Sequence, residues 1–289
     1  MPLGRRRLID ALLLVTAIIA VSTSAPLVRE AAAPALCIAF WRTGLGATAT
    51  APFAWRQHVA RGRRERRMIG LAGVVLAAHF ACWIGSLSFT SVASAVTLVS
   101  TQPAWAAVFA PHQVHRRVWA GIAVAMVGVI AVAGVDLSIS ARAVFGDALA
   151  LAGGALAALY VTVGAEVRQS VPTATYTAGC YGIAAGATLV AGVIGRVDLV
   201  PADAATWGWI LAITIGPQLL GHTLINAVLQ RLDAVLVSVA ILFEIVGASL
   251  LAWWWFGESP PAALYPAAAL LVVGVVLVIS GTREAAPVD

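Results

Sequence analysis

The chain of 289 residues is a series of long apolar stretches separated by short polar ones. A helix needs about 20 mostly apolar residues to cross the hydrocarbon core of a membrane. The stretches mix helix-forming residues with glycine and lack the strict two-residue alternation of a membrane-spanning strand. The pattern predicts an all-α membrane protein with ten transmembrane helices, at residues 8–28, 35–55, 68–88, 91–110, 118–135, 146–166, 173–195, 206–228, 235–256 and 262–281.

The composition agrees with this interpretation. Hydrophobic residues make up 61% of the chain and charged residues only 11%, and the mean hydropathy is +0.93, outside the usual balance of a soluble domain. The first apolar stretch also has features of a secretory signal. We interpret it as the first span, because cleavage would leave Pro26 at the new terminus and would remove a helix from the repeat described below. We expect the protein in the cell (inner) membrane.

The positions of the arginines predict the orientation. All 18 basic residues are arginine, and the formal net charge is +5. Positive residues in short loops stay on the cytoplasmic side of a membrane. If the N-terminus is inside, only Arg29, Arg142 and Arg196 fall on the outer side, so we expect both termini to be cytoplasmic. The net charge is then explained by topology rather than by nucleic-acid binding.

The two halves of the chain repeat each other. Residues 10–14 read DALLL and residues 147–151 read DALAL. Further on, Gln102-Pro103 aligns with Glu244-Ile245, and MVGVIAVAG (126–134) aligns with VVGVVLVIS (272–280). The alignment predicts two five-helix repeats, residues 1–135 and 136–289. Because five is odd, the second repeat must enter the membrane from the opposite face, so we expect inverted repeats around a central cavity, as in secondary transporters.

Three stretches in both halves resemble one family: FWRTGLGA (40–47), GDALALAGGALAALYVTVGAEVR (146–168) and FEIVGASLLAWWWFGE (243–258). In order and duplication they resemble the drug/metabolite transporter superfamily, in particular its EamA-type ten-helix members. The resemblance implies a carrier of small metabolites that often exports amino acids or related compounds by alternating access. The chain departs from the family pattern at Ile245, where a proline commonly follows the glutamate of the ninth span.

Glu244 and Arg42 are the two charged candidates for substrate binding or coupling. Glu244 is predicted near the middle of the ninth span, where a charged residue costs about 2.5 to 3.5 kcal/mol. It either exchanges a proton with a cavity, which would couple transport to protons, or fixes helix packing; we favour coupling, because ionisable residues in spans usually face a cavity. Arg42 cannot shed its proton and must find an anion or a set of carbonyls. A substrate carboxylate and Glu244 are both open as its partner.

Several polar residues without a permanent charge also lie inside the predicted spans. His79 and His222 occupy nearly equivalent places in the two repeats and can relay protons, although we favour hydrogen-bonded packing for each. Gln102, Gln218 and Asn226 either line the cavity or link helices.

Aromatic residues and prolines complete the candidate site. Trp83, Trp105 and Tyr160 either stack on a substrate ring or, as we favour, pack in the protein interior. Pro103 and the pair Gly216 and Pro217 interrupt the fourth and eighth spans and are hinge candidates, because proline frees a backbone carbonyl in a helix.

Other classes of function fit the sequence less well. Without lysine there is no Walker-type phosphate loop and no Schiff-base chemistry, and the three cysteines show no metal-ligand spacing, so we expect neither an enzyme nor a cofactor or metal site. A channel-like pore is the first alternative, but it favours rings of like groups. A membrane-embedded enzyme is the second, but it should show several titratable groups at one depth. The expected partners are a small-molecule substrate, membrane lipids and protons, and we expect a monomer or homodimer.

Overall fold

The computed structural model describes residues 3–57, 61–90, 92–110, 115–133, 140–257, 262 and 264–284. Every regular element in these ranges is a helix, which confirms the all-α prediction. Two shorter apolar helical segments, Ala95–Phe109 and Tyr265–Gly281, fall in the fourth and tenth predicted spans. Six helical segments among the described residues are long and apolar enough to cross a membrane: Leu8–Ala31, Arg63–Ser86, Ala141–Val167, Thr173–Ile194, Ala204–Val228 and Ala234–Trp255.

The elements follow the predicted spans in order. The first half of the chain contains α1 (Leu3–Ser22), α2 (Ser24–Ala31), α3 (Ala35–Gln57), α4 (Arg63–Ser86), α5 (Val92–Val99), α6 (Gln102–Phe109) and α7 (Arg116–Ala133). The second half contains α8 (Ala141–Val167), α9 (Thr173–Ile194), α10 (Ala204–Ile213), the π-helical segment π1 (Thr214–His222), α11 (Thr223–Val228), α12 (Ala234–Ile241), α13 (Phe243–Phe256) and α14 (Leu264–Glu284).

Four of the predicted spans do not run as one regular α-helix. The first is divided into α1 and α2 at Thr23. The fourth is divided into α5 and α6, and Pro103 lies in the first turn of α6, where its missing N–H costs no helix hydrogen bond. The ninth is divided into α12 and α13 by Leu242. The eighth stays helical but widens into π1 around Pro217. Proline cannot donate to the carbonyl four residues back, and the wider turn absorbs this interruption.

The chain divides into two compact units, and each takes helices from both halves of the sequence. Unit 1 comprises Met1–Ala81 and Val163–Leu232, and unit 2 comprises Cys82–Thr162 and Asp233–Asp289. Unit 1 therefore holds α1 to α3, most of α4, the end of α8 and α9 to α11. The boundary predicted between the sequence repeats, at residues 135 and 136, lies outside the described residues and stays a prediction.

In unit 1, α3 packs against α9 through small residues. A methyl group built on Gly44 would lie 3.7 Å from Cβ of Ala185, and one built on Gly182 would lie 3.9 Å from Cβ of Ala47. A contact three residues further along α3 is matched by one three residues earlier in α9, so the two helices are antiparallel. Small residues on both sides allow the two backbones to approach closely.

In unit 2, α7 packs against α14 in the same manner. A methyl group on Gly121 would lie 2.7 Å from the carbonyl oxygen of Gly274, and one on Gly128 would lie 3.1 Å from that of Ala267. These two helices are also antiparallel. The first contact is too close for any side chain, so glycine at position 121 sets the distance between the helices.

Candidate functional site

Arg42 of α3 is completely buried in unit 1. Its Nε donates a hydrogen bond of 2.9 Å to Oε1 of Gln218 in π1. Its Cζ lies 4.0 Å from the centre of the Phe80 ring of α4. An amide oxygen and an aromatic face both stabilise a cation that has been removed from water. These contacts explain how α3 carries a permanent positive charge in the protein interior.

The π-helical segment holds Gln218 in place through its backbone. The carbonyl oxygen of Gln218 accepts from the backbone N–H of Thr223, five residues further on, and also from the Thr223 hydroxyl at 3.3 Å. That hydroxyl lies 3.1 Å from the hydroxyl of Tyr181 in α9. A methyl group on Gly46 of α3 would lie 3.1 Å from Cγ of Gln218. The side chain of Gln218 is thus confined between α3 and its own widened turn.

The two predicted histidines contact the same aromatic ring. The ring centres of His79 and Phe80 are 5.1 Å apart, and those of Phe80 and His222 are 5.4 Å apart in an edge-on arrangement. His222 is the last residue of π1. Arg42, His79 and His222, which the sequence singled out, therefore meet around Phe80. We call this group, with Gln218 and Tyr181, the Arg42 cluster.

Sequence reasoning missed Phe80, Tyr181 and Gly46 as members of this site. Each is an aromatic residue or a glycine within an apolar stretch, of which the chain has many, so no local signal marks them. Gln218 was recognised only as a polar group inside a span. Its pairing with Arg42 depends on the packing of π1 against α3, which no local pattern encodes.

Asn226 of α11 is completely buried in unit 1, and its backbone carbonyl accepts a 2.8 Å hydrogen bond from Nε of Arg168. Arg168 follows the last residue of α8 and is 1% exposed. It also donates to Oγ1 of Thr173 at 2.6 Å. Burial lowers the pKa of Arg168 to about 10, so the side chain remains charged at neutral pH. Sequence analysis treated this arginine only as an orienting charge, whereas it joins α8, α9 and α11.

Gln102 belongs to unit 2 and connects two of its helices. It lies in the first turn of α6, is 8% exposed, and donates from Nε2 to Oγ of Ser238 in α12 at 3.1 Å. Of the two roles left open by the sequence, this contact favours helix linking. Pro103 follows Gln102 in the first turn of the same short helix.

Glu244 lies near the middle of the candidate span Ala234–Trp255 and is partly buried. It stands in the first turn of α13, two residues after the interruption at Leu242. The N-terminus of a helix carries partial positive charge and N–H groups without intrahelical acceptors, which favours a carboxylate there. Here, however, the backbone stays close to helical across the interruption, since the N–H of Ile245 donates to the carbonyl oxygen of Leu242 at 3.1 Å. A pairing of Glu244 with Arg42 stays a prediction.

The aromatic candidates Trp83, Trp105 and Tyr160 all belong to unit 2. Trp83 is 6% exposed and Tyr160 is 2% exposed. A methyl group on Gly153 of α8 would lie 3.3 Å from both Cβ and the backbone nitrogen of Trp83, so the backbone of α4 at Trp83 lies close to α8. Nε1 of Trp105 donates to Oγ1 of Thr101 at 3.2 Å. These positions fit packing roles and leave substrate stacking as a prediction.

Comparisons with known proteins agree with the fold and with the resemblance seen in the sequence. The sequence profile of the EamA-like transporter family matches residues 8–134 and, a second time, residues 144–280. One solved crystal structure is similar with a TM-score of 0.79 and 20% identity, over 95% of this chain and 98% of that chain; at this identity the likeness concerns the fold alone. No curated protein matches the sequence. Because the two profile matches span nearly the whole chain, the protein belongs to the EamA-like transporter family of the drug/metabolite transporter superfamily.

Proposed function

We propose that the protein is a secondary-active transporter that exports a small metabolite bearing a carboxylate, with amino acids as the leading class. The observation that carries this proposal is the complete burial of Arg42 in a chain of this transporter family. A buried guanidinium provides a permanent positive charge and a planar fork of donors, which suits the recognition of a carboxylate.

The proposed architecture is ten spans in two inverted five-helix repeats around a central cavity, in the inner membrane and with both termini cytoplasmic. The antiparallel contacts within each unit support the inversion. Gly44 and Gly182 are separated in sequence by the same number of residues as Ala47 and Ala185, so α3 and α9 contact each other through equivalent positions. Equivalent helices that run in opposite directions are expected when the second repeat enters the membrane from the other face.

Glu244 is the proposed proton-coupling residue. It is the acidic residue that the sequence places in the middle of a predicted span, and it lies in the first turn of a helix that begins within that span. A carboxyl group in this setting can gain and lose a proton as the cavity opens to each side. Alternating access would then move protons and substrate in one cycle.

Flux measurements on the purified chain in proteoliposomes test the proposal. Under an imposed pH gradient, radiolabelled amino acids should accumulate against their own gradient, and unlabelled substrate on the opposite side should accelerate their exchange. Liposomes without protein are the control. Flux that only dissipates a gradient would identify a channel-like pore, and chemical conversion of the label would identify a membrane-embedded enzyme. Either result would contradict the proposal.

A further inference from the structure

The side-chain amide of Gln218 is hydrogen-bonded through its oxygen, whereas its nitrogen has no partner among the described residues. Gln218 is completely buried, and its Oε1 accepts from Nε of Arg42. Because a guanidinium nitrogen only donates, this bond fixes which end of the amide is oxygen. The other end, Nε2, has no hydrogen-bond partner among the residues that the structure describes. A buried donor without an acceptor costs about 1 to 3 kcal/mol.

The surroundings of Gln218 hold this donor in a fixed direction. The π1 backbone is fastened at the Gln218 carbonyl by Thr223. On the other side, Gly46 leaves only enough room for the Gln218 side chain, since a methyl group there would lie 3.1 Å from its Cγ. The ring of Tyr181 borders the same space at 3.2 Å. A donor whose rotamer is restricted before binding loses little entropy when a ligand arrives.

We propose that Gln218 is a specificity-determining residue whose Nε2 donates to one oxygen of the substrate carboxylate, next to the positive charge of Arg42. The inference rests on the proposed transport function and adds a second, uncharged donor to it. A guanidinium and an amide N–H side by side match a planar group with two acceptor oxygens. A ligand that offers only an ammonium group at this place would meet two donors and a like charge, so the site selects carboxylates against the corresponding amines.

Binding measurements on the purified full chain test this assignment, with each of the 20 common L-amino acids and its decarboxylated amine as paired probes. Gln218→Met removes the amide with little change of volume. Gln218→Glu places a carboxylate beside Arg42, where it competes with that of the ligand. Thr188→Val is the matched control, because Thr188 is equally buried in unit 1 and its hydroxyl bonds only to carbonyls of its own helix. Isothermal titration gives the affinities.

We expect the wild type to bind at least one amino acid more tightly than its amine. Gln218→Met should weaken that binding about tenfold to hundredfold, since a hydrogen bond to a charged group is lost, and Gln218→Glu should abolish it. Thr188→Val should bind like the wild type. Carboxylate binding within twofold of the wild type in Gln218→Met, or equal losses for acid and amine, would overturn the role of Gln218 and leave the transporter proposal standing.

A wild type that binds amines but no amino acid would also overturn the inference, because the selected group would not be a carboxylate. Substrate flux under a pH gradient in the same preparation then decides separately whether the chain is a carrier. The thermal unfolding midpoint of each variant shows whether it is folded. If Gln218→Met is unfolded, Gln218→Leu provides the comparison, because it also removes the amide and adds no charge that competes at Arg42.

Discussion

Units 1 and 2 each hold an ionisable residue within a long apolar stretch, and they do so in different ways. In unit 1, Arg42 lies on the uninterrupted helix α3, and neighbouring elements bring an amide oxygen and a ring to it. In unit 2, the helix itself is interrupted, and Glu244 occupies the start of the new segment α13. The difference follows from chemistry. An arginine keeps its proton and needs acceptors from neighbouring elements, whereas a carboxyl group can become neutral.

Two equivalent aspartates, one in each unit, have different hydrogen-bond partners. Asp10 and Asp147 open the two repeats, and each is bonded to a residue that follows the third span of the other repeat. In unit 1 the partner of Asp10 is Arg231, whose Nε lies 2.7 Å from Oδ1. In unit 2 the partner of Asp147 is the hydroxyl of Thr90, at 2.6 Å. The duplicated sequence therefore keeps the position of the contact while the charge of the partner has changed.

The largest expected effect concerns the acid of unit 2. Glu244→Gln should abolish pH-driven transport, because the side chain can no longer exchange a proton, while the protein still folds and inserts. Flux in proteoliposomes with and without a pH gradient measures this effect. Glu166→Gln is the matched control, since Glu166 is an exposed acid paired with Arg64. An unchanged pH dependence in Glu244→Gln would remove the coupling role.

The cation of unit 1 should affect affinity rather than coupling. Arg42→Ala is expected to weaken the binding of carboxylate substrates about hundredfold or more, because a charge and its hydrogen bonds are lost. Neutral analogues should lose much less affinity. Arg42→Lys keeps the charge but not the planar fork of donors, so its affinity for carboxylate substrates should lie between those of the wild type and Arg42→Ala. Equal losses for neutral and anionic ligands in titration experiments would indicate a structural arginine.

The aspartate comparison predicts a difference in stability. Asp10→Asn should lower the free energy of unfolding by about 1 to 2 kcal/mol, because a charge-assisted hydrogen bond with Arg231 becomes a neutral one. Asp147→Asn should cost less than about 1 kcal/mol, since asparagine still accepts from Thr90. Thermal unfolding of the purified variants measures both. High salt should reduce the difference between the stability losses of Asp10→Asn and Asp147→Asn. Equal losses of stability in the two variants would contradict this prediction.

The smallest effect is expected at an exposed helix start in unit 1. The backbone N–H of Thr206 donates to Oδ1 of Asp203 at 2.8 Å, which lowers the pKa of Asp203 from its ordinary value of 3.8. Because the pKa is lower in the folded state, the carboxylate stabilises the fold above pH 3.8 and loses this contribution as the pH falls through the folded value.

Asp203→Ala should therefore lower the unfolding midpoint slightly at pH 7 and leave it unchanged at a pH below the folded pKa. Melting curves across this pH range provide the measurement. Asp203→Asn, which keeps the cap without the charge, should show no such pH dependence. A constant difference between wild type and Asp203→Ala at every pH would contradict the electrostatic explanation.

Hydropathy and proline positions predicted much of the fold, but not all of its interruptions. Pro103 marks the division of the fourth span, and Pro217 marks the irregular turn in the eighth. The interruption at Leu242 carries no proline or glycine, so it could not be predicted from local sequence. That Pro217 produces a π-helical turn rather than a break depends on the contacts of π1 with α1 and α3, which form only in the folded protein.

The residues of the candidate site that could be predicted from the sequence are those whose charge or polarity differs from the apolar stretch around them. Arg42 and Glu244 are conspicuous as charges within apolar stretches, and His79 and His222 as a repeated pair. Phe80 is not conspicuous, because aromatic residues are common in membrane spans. Its position among Arg42 and the two histidines depends on how α4 packs in unit 1.

The close contact between α7 and α14 has the form of a symmetric interface. In the aligned repeats, position 121 corresponds to position 267, and position 128 corresponds to position 274. The contact of Gly121 with Gly274 is therefore the counterpart of the contact of Gly128 with Ala267, and a two-fold axis exchanges the two. Such a surface is self-complementary, as in a symmetric dimer. A single chain that carries both faces makes their association independent of protein concentration.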